Sequence, residues 1–205
     1  MNIKSVWNDK KNLIVKLWIN QFAFSLFGIF VSSPFLNNYG LCMAAGAFSL
    51  LFYFAVVAFA VLDDAQKDKI AYDAGRADGF SPKRGMGYIG LAMLPSFVLT
   101  LIHFIIYTFG VRGALRKALY LIDRLALCGE VLGIDVGLAK PTEVTDAAGI
   151  MSRVNSGAPL FGFMSDAGLF QLIFVLLAFA VLCVVYALAF KGVIKYNTTS
   201  MKKRK

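Results

Sequence analysis

Charged residues are scarce in this sequence. Only 16% of its 205 residues are Asp, Glu, Lys or Arg, whereas a water-soluble domain carries about a quarter. Apolar residues make up 59%, which excludes both an intrinsically disordered chain and an ordinary soluble enzyme. The composition predicts a protein that resides in a lipid bilayer.

The residue types that build catalytic and metal sites are also few. The chain has one His and three Cys, and no Cys-x-x-Cys pattern occurs, which disfavours a zinc or thiol redox motif. No nucleophile stands next to a base. We therefore expect no enzymatic activity, no cofactor and no metal. Cys42 and Cys128 fall on the same predicted side of the membrane, where a disulfide between them is one alternative.

Four runs contain no Asp, Glu, Lys or Arg and are long enough to span a bilayer. A helix needs about 20 mainly apolar residues to cross a hydrocarbon layer about 30 Å thick. The runs are residues 17–36, 41–62, 86–110 and 167–190. The short turn-forming link between the first two makes them antiparallel neighbours. The sequence predicts an all-α, single-domain membrane protein with four transmembrane helices.

The distribution of Lys and Arg predicts the orientation. Four precede the first run, five lie in 63–85 and six follow the last run, against none in 37–40 and six in 111–166. Cytoplasmic segments carry the excess of positive charge. We expect a multi-pass protein of the cell (inner) membrane whose amino and carboxyl termini are both cytoplasmic.

The two longer connections differ in character. Residues 63–85 carry five acids and five bases and predict a compact cytoplasmic loop. Residues 111–166 predict an outer segment that begins with an amphipathic helix over 114–132, lying in the interface or packed over the mouth of the bundle. Its many charges argue against a fifth span. The rest of this segment reads as an external loop with at most a short helix over 142–154.

Basic residues at the ends of the apolar runs are expected to contact anionic lipids of the inner leaflet. This placement also argues against nucleic acid as a partner. The expected lipid contacts are Lys83, Arg84, Lys191, Lys195, Lys202, Lys203, Arg204 and Lys205. The nearby Gly85, Gly87 and Gly90 have the G-x-G-x-x-G spacing of a dinucleotide-binding fingerprint. At the start of a membrane helix, however, they indicate close helix packing.

Ser49, His103 and Gln171 form a candidate polar layer in the outer half of the membrane. Helical rise places them roughly 12, 10 and 6 Å below the outer surface. They are either a site that binds a ligand or responds to pH, or hydrogen bonds that hold helices together. No Asp, Glu, Lys or Arg lies deep in any of the four runs, which argues against an ion-coupled pump.

Three stretches resemble a group of small, uncharacterised multi-pass membrane proteins from Gram-positive bacteria. These are NLIVKLWINQFAFSLFGIFV (12–31), DAQKDKIAYDAGRADGFSPKRG (64–85) and MGYIGLAMLPSFVLTL (86–101). The resemblance covers the first half of the chain. It implies a bacterial inner-membrane protein and implies no activity.

Two functions remain open from the sequence. The first is a non-enzymatic scaffold or accessory subunit that acts through helix and lipid contacts, with a membrane-protein partner or a second copy of the chain. The alternative is a small transporter or substrate-binding membrane component that uses the polar layer of the outer half.

Overall fold

Four long apolar helices dominate the computed structural model, which describes residues 3–75, 82–111, 113–145 and 151–194. They are α1 (Ile3–Ser32), α2 (Tyr39–Asp73), α3 (Pro82–Thr108) and α7 (Leu169–Phe190). Each is long and apolar enough to cross a membrane. The prediction of four helices that are long and apolar enough to span a membrane is confirmed.

Helices α1 and α2 form the antiparallel hairpin that their short link requires. A 3-10 turn at Ser33–Phe35 ends the first helix, and the side chain of Asn38 accepts a hydrogen bond from the Leu41 amide at 3.2 Å to begin the second. Such a cap satisfies one of the free amides of a helix start.

Helix α2 continues well beyond the predicted apolar run, so the 63–85 connection is shorter than expected. Lys67 pairs with Asp63 at 2.6 Å and Lys69 with Asp73 at 2.9 Å, both at i,i+4 spacing. Such pairs support an exposed helix. The expected loop is helical up to Asp73.

The connection between α3 and α7 does not form the single helix expected over 114–132. It comprises α4 (Ala114–Leu121), a π-helix (Ile122–Leu127), a 3-10 turn (Gly129–Val131) and α5 (Leu132–Ala139). Residues 122–139, here called the inserted segment, pack against α1 and α2. Of the apolar face predicted for this helix, Leu119 is buried but Leu115 is 60% exposed.

The inserted segment reaches past the middle of the bundle. The carbonyl of Leu127 accepts a hydrogen bond from Gln21 on α1, and Gln21 accepts one from Tyr53 on α2. Tyr53 lies fourteen residues from the start of α2, which is about 21 Å at 1.5 Å per residue. Non-helical backbone is tolerated at such depth only where protein surrounds it.

Glycines on the two spans make this insertion sterically possible. A Cβ built on Gly46 would lie 2.6 Å from the amide nitrogen of Ile134, and one on Gly28 would lie 2.6 Å from that of Glu130. Backbone is therefore in contact with backbone. The Gly129 amide also donates to Ser25 Oγ at 2.7 Å, so its polar group is satisfied inside the protein.

A β-hairpin follows the inserted segment, and the expected short helix over 142–154 is wrong. Strands β1 (Pro141–Thr145) and β2 (Met151–Asn155) pair antiparallel, with Thr142 opposite Val154. Thr142, Val144 and Thr145 in β1 and Val154 in β2 are β-branched residues, which are favoured in strands. We call this side of the bundle the hairpin end and the side that holds Lys10 the opposite end.

A short helix, α6 (Pro159–Asp166), leads from the hairpin to α7. At the opposite end α3 and α7 pack tightly, because a Cβ on Gly85 would overlap the ring of Tyr186. This supports the helix-packing interpretation of that glycine.

Candidate functional site

The three residues of the predicted polar layer are all fully buried at the hairpin end. His103 and Gln171 each contact an acid of the inserted segment, as described below. Ser49 Oγ has no hydrogen-bond partner among the described residues. The structure therefore connects two of the predicted residues to charged groups and leaves Ser49 outside their hydrogen bonds.

His103 pairs with Asp123. Its Nδ1 lies 2.8 Å from Asp123 Oδ2, and both side chains are almost completely buried. The edge of the Tyr120 ring faces the imidazole with centroids 5.9 Å apart. A ring nitrogen and a carboxylate oxygen at this distance form a hydrogen bond.

Arg124 is the centre of a second set of contacts. One guanidinium nitrogen lies 2.9 Å from Asp135 Oδ2 and 2.7 Å from Ser165 Oγ, and it also donates to the Ser165 carbonyl. Gln171 Nε2 donates to the same Asp135 oxygen at 3.1 Å. We call His103, Asp123, Arg124, Asp135, Ser165 and Gln171 the charge network.

Burial makes the charge network costly to break. Each ionised group loses several kcal/mol of hydration, by order of magnitude, and removing one partner of a buried pair costs about 3–5 kcal/mol. Arg124 and Asp135 are only 4% and 0% exposed. Charged groups at membrane depth usually mark functional sites rather than structural ones.

A pocket of about 590 Å³ opens beside the charge network at the hairpin end. Arg124 is the one cationic residue that lines it in the described part of the chain, and its Nε is buried without a hydrogen-bond partner there. The full lining is Leu36, Asn37, Tyr39, Tyr120, Leu121, Arg124, Leu132, Val136, Pro141, Thr142 and Glu143. A guanidinium at an apolar-walled pocket is suited to an anionic group.

A second, basic pocket adjoins the first one. It has a volume of about 490 Å³ and is lined by Gly113, Arg116, Lys117, Tyr120 and Leu121. The two pockets share Tyr120 and Leu121. Arg116 is held over the Tyr107 ring at 4.6 Å. Positive charge therefore lines the approach to Arg124.

A separate charged cluster lies at the opposite end. Lys10 lies 2.7 Å from Asp64 and 2.6 Å from Asp68, and Tyr186 Oη donates to Asp68 at 3.0 Å. The Lys10 ammonium also lies 5.6 Å from the centre of the Tyr88 ring. This cluster joins α1, α2, α3 and α7, and the side chains of its three charged residues are partly exposed.

The remaining predicted residues are distributed as follows. Lys83 and Arg84 belong to the first turn of α3, and Lys191 is exposed at the end of α7. Lys195, Lys202, Lys203, Arg204 and Lys205 lie outside the described residues. Cys42 and Cys128 are both buried as free thiols and are not joined. Within the described residues no group of three or more His, Cys, Asp or Glu is placed to hold a metal ion.

The burial of the acids and the arginine of the inserted segment is not predicted by the sequence. Charged residues disqualify a segment as a membrane span, so residues 122–139 were expected outside the bundle. One signal was present. Gly129, Gly133 and Gly137 recur every four residues, the spacing of small residues that lets helices approach closely, and each of them contacts α1 or α2.

The fold and the site together suggest a class: a multi-pass helical membrane protein in which a charged segment packs between the spans. Comparison with protein-family models, with curated proteins and with solved structures finds no match for the chain.

Proposed function

We propose that this chain is a non-enzymatic substrate-binding membrane component or small transporter that takes its solute into the pocket at the hairpin end. The observation that supports this proposal most is the position of Arg124, which lines the pocket and belongs to the charge network. A solute in the pocket would contact a group whose partners are fixed by three elements of the fold.

The cost of the charge network favours this function over a purely structural one. Replacing a buried ion pair by apolar residues of similar size is often neutral or stabilising. A scaffold that needed only stable helix contacts would gain nothing from Arg124 and Asp135. A solute-binding site would gain a preorganised charge.

The chemistry of the lining suggests a solute with an anionic group and an apolar part. Arg124 offers a buried guanidinium, while Leu121, Leu132 and Val136 offer apolar walls. Arg116 and Lys117 add positive charge along the adjoining pocket. Glu143 is the one acid that lines the first pocket in the described part of the chain.

In this proposal the protein has the membrane orientation predicted from its Lys and Arg residues. Both termini and the connection between α2 and α3 would face the cytoplasm of a bacterial cell, with basic residues on anionic inner-leaflet lipids. The hairpin end, with its amphipathic helix α4, would then face outward.

Ligand-induced stabilisation in lipid nanodiscs tests this function. Hexanoate carries one carboxylate on a short apolar chain, and hexylammonium is its cationic counterpart. Hexanoate should raise the unfolding temperature of the wild type in a saturable manner, because a ligand that binds only the folded state stabilises it. Hexylammonium should not.

A pocket-filling variant provides the matched control. Leu121, which is 52% exposed, lines both pockets, whereas Leu115 on the same helix lines neither. L121W should abolish the effect of hexanoate and L115W should preserve it. The proposal is contradicted if hexanoate stabilises both variants equally, or if it does not stabilise the wild type.

A second candidate, the accessory subunit, draws on one observation at the β-hairpin. Val144 and Val154 lie on the same face of the two strands and are both exposed. Exposed apolar residues on an extramembrane hairpin suit contact with a second copy of the chain. V144S/V154S should then reduce the oligomeric state measured by light scattering, whereas L115S should not. A wild-type monomer argues against this candidate.

A further inference from the structure

Glu130 is a buried acid that the charge network does not use. It lies in the turn Gly129–Val131 at the tip of the inserted segment and is 0% exposed. Gln21 Nε2 is 3.5 Å from its Oε1, and its Oε2 has no hydrogen-bond partner among the described residues. The carboxyl group is therefore buried with only amide partners and, among the described residues, no cation.

The described groups that surround Glu130 bring no positive charge. Helix α1 contributes Gln21 and Ser25, and α2 contributes Tyr53, whose hydroxyl donates to Gln21 Oε1 at 2.6 Å. Cys128, which directly precedes the turn, brings a buried thiol, and α7 packs the uncharged Phe174 into the same core. The described Arg124 and His103 are each paired with another acid.

An ionised carboxylate in such a place is strongly disfavoured. Without a counter-ion it loses its hydration and gains little in return, so the group takes up a proton instead. The other two buried acids of the inserted segment each have a basic partner, Asp123 in His103 and Asp135 in Arg124, whereas Glu130 has none among the described residues.

We propose that Glu130 is a proton-binding site and that its proton is the ion coupled to the solute taken up by the pocket. The second half of this proposal rests on the proposed function. The coupling runs through the inserted segment, because Leu132 and Val136, which line the pocket, follow Glu130 directly in the same packed segment. A solute that displaces α5 also displaces the turn that holds the acid.

Infrared spectroscopy of the protein in lipid nanodiscs tests the proton directly. The wild type at neutral pH should show the carbonyl stretch of a protonated carboxylic acid, and E130Q should lose it. D63N is the control and should keep this band, because Asp63 is more than half exposed on α2 and lines neither pocket. If the wild-type and E130Q spectra coincide in this band at neutral pH, the proton site is overturned.

Unfolding measured against pH gives a second, independent readout. Glu130 would hold its proton in the folded state and release it on unfolding, so the folded state becomes less stable as pH rises from acidic to neutral values. Relative to E130Q, the wild-type unfolding constant should increase by up to tenfold per pH unit. Parallel pH profiles for the two proteins also overturn the proton site.

A pH dye in weak buffer tests the coupling, because it measures protons bound or released by the protein when hexanoate is added. The number of bound protons should change in the wild type and should stay constant in E130Q. If hexanoate binds but proton release is the same in both proteins, the coupling is overturned while the pocket stands. If the infrared band behaves as expected but hexanoate fails to stabilise the wild type, the proton site stands and the proposed function fails.

Discussion

The two ends of the bundle are stabilised in different ways. At the hairpin end the inserted segment separates the spans, and the contacts among α3, α7 and that segment run through buried ion pairs and amides. At the opposite end the spans pack directly. Side chains that are fully buried there include Ile14, Leu17, Val57, Val61, Ile89 and Leu182.

The charges at the two ends also differ in exposure. Asp123, Arg124 and Asp135 are at most 4% exposed, whereas Lys10, Asp64 and Asp68 retain between 10% and 22% of their side-chain surface. At the opposite end the helices are held by fully buried apolar side chains and by a charged cluster that keeps part of its contact with water. The buried charges of the hairpin end therefore suggest a role other than holding helices together.

The largest effect is expected from closing the space into which the inserted segment packs. In G46L a bulky side chain meets the backbone of residues 133 and 134, which cannot move aside cheaply. The free energy of unfolding in mixed micelles should fall by about 3 kcal/mol or more. Gly90 provides the control, because the nearest atom to its Cβ would be Phe179 at an ordinary 3.7 Å. If G46L has the same free energy of unfolding as G90A, the described packing of the inserted segment against Gly46 is contradicted.

A smaller but substantial loss is expected from H103L. The substitution leaves the buried Asp123 carboxyl without its imidazole partner, at a cost of about 2 kcal/mol. The conservative variant H103Q keeps an amide donor and should recover part of the loss. Chemical denaturation of the three proteins measures this difference. Indistinguishable midpoints would mean that the His103–Asp123 contact contributes nothing.

At the opposite end K10M should have a more modest effect. It removes the cation between Asp64 and Asp68 and leaves two neighbouring carboxylates, but both are partly exposed and water compensates them. We expect a loss of about 1 kcal/mol that shrinks in high salt. A loss as large as that of H103L, or one that salt does not alter, removes the contrast between the ends.

The smallest effect is expected from K67A. Lys67 and Asp63 are both more than half exposed on the surface of α2, and such i,i+4 pairs contribute less than about 0.5 kcal/mol. Its thermal unfolding should match the wild type within error. A clear destabilisation would show that the end of α2 depends on surface pairs.

The spans were predictable because their signal is local. Each is an apolar run whose length matches a bilayer, and the link 37–40 is too short for anything except a hairpin. The inserted segment was not predictable in the same way. Its burial depends on Gly28 and Gly46, far away in sequence, and its own charges indicate a surface location when it is considered alone.

The candidate site was predicted only in part for the same reason. His103 and Gln171 stood out as polar residues in apolar runs, and the structure places both in the charge network. Their partners Asp123 and Asp135 belong to a segment that composition assigns to water. The His103–Asp123 and Gln171–Asp135 contacts join residues 20 and 36 positions apart. Neither periodicity nor hydropathy predicts such tertiary contacts.

A double-mutant cycle on Arg124 and Asp135 tests the central claim most directly. If the inserted segment packs between the spans with this pair buried, R124M and D135L should each destabilise the protein strongly, and the double variant should be more stable than their sum predicts. We expect a coupling free energy of at least about 1.5 kcal/mol. A coupling near zero, as for an exposed pair on a surface helix, would contradict the account.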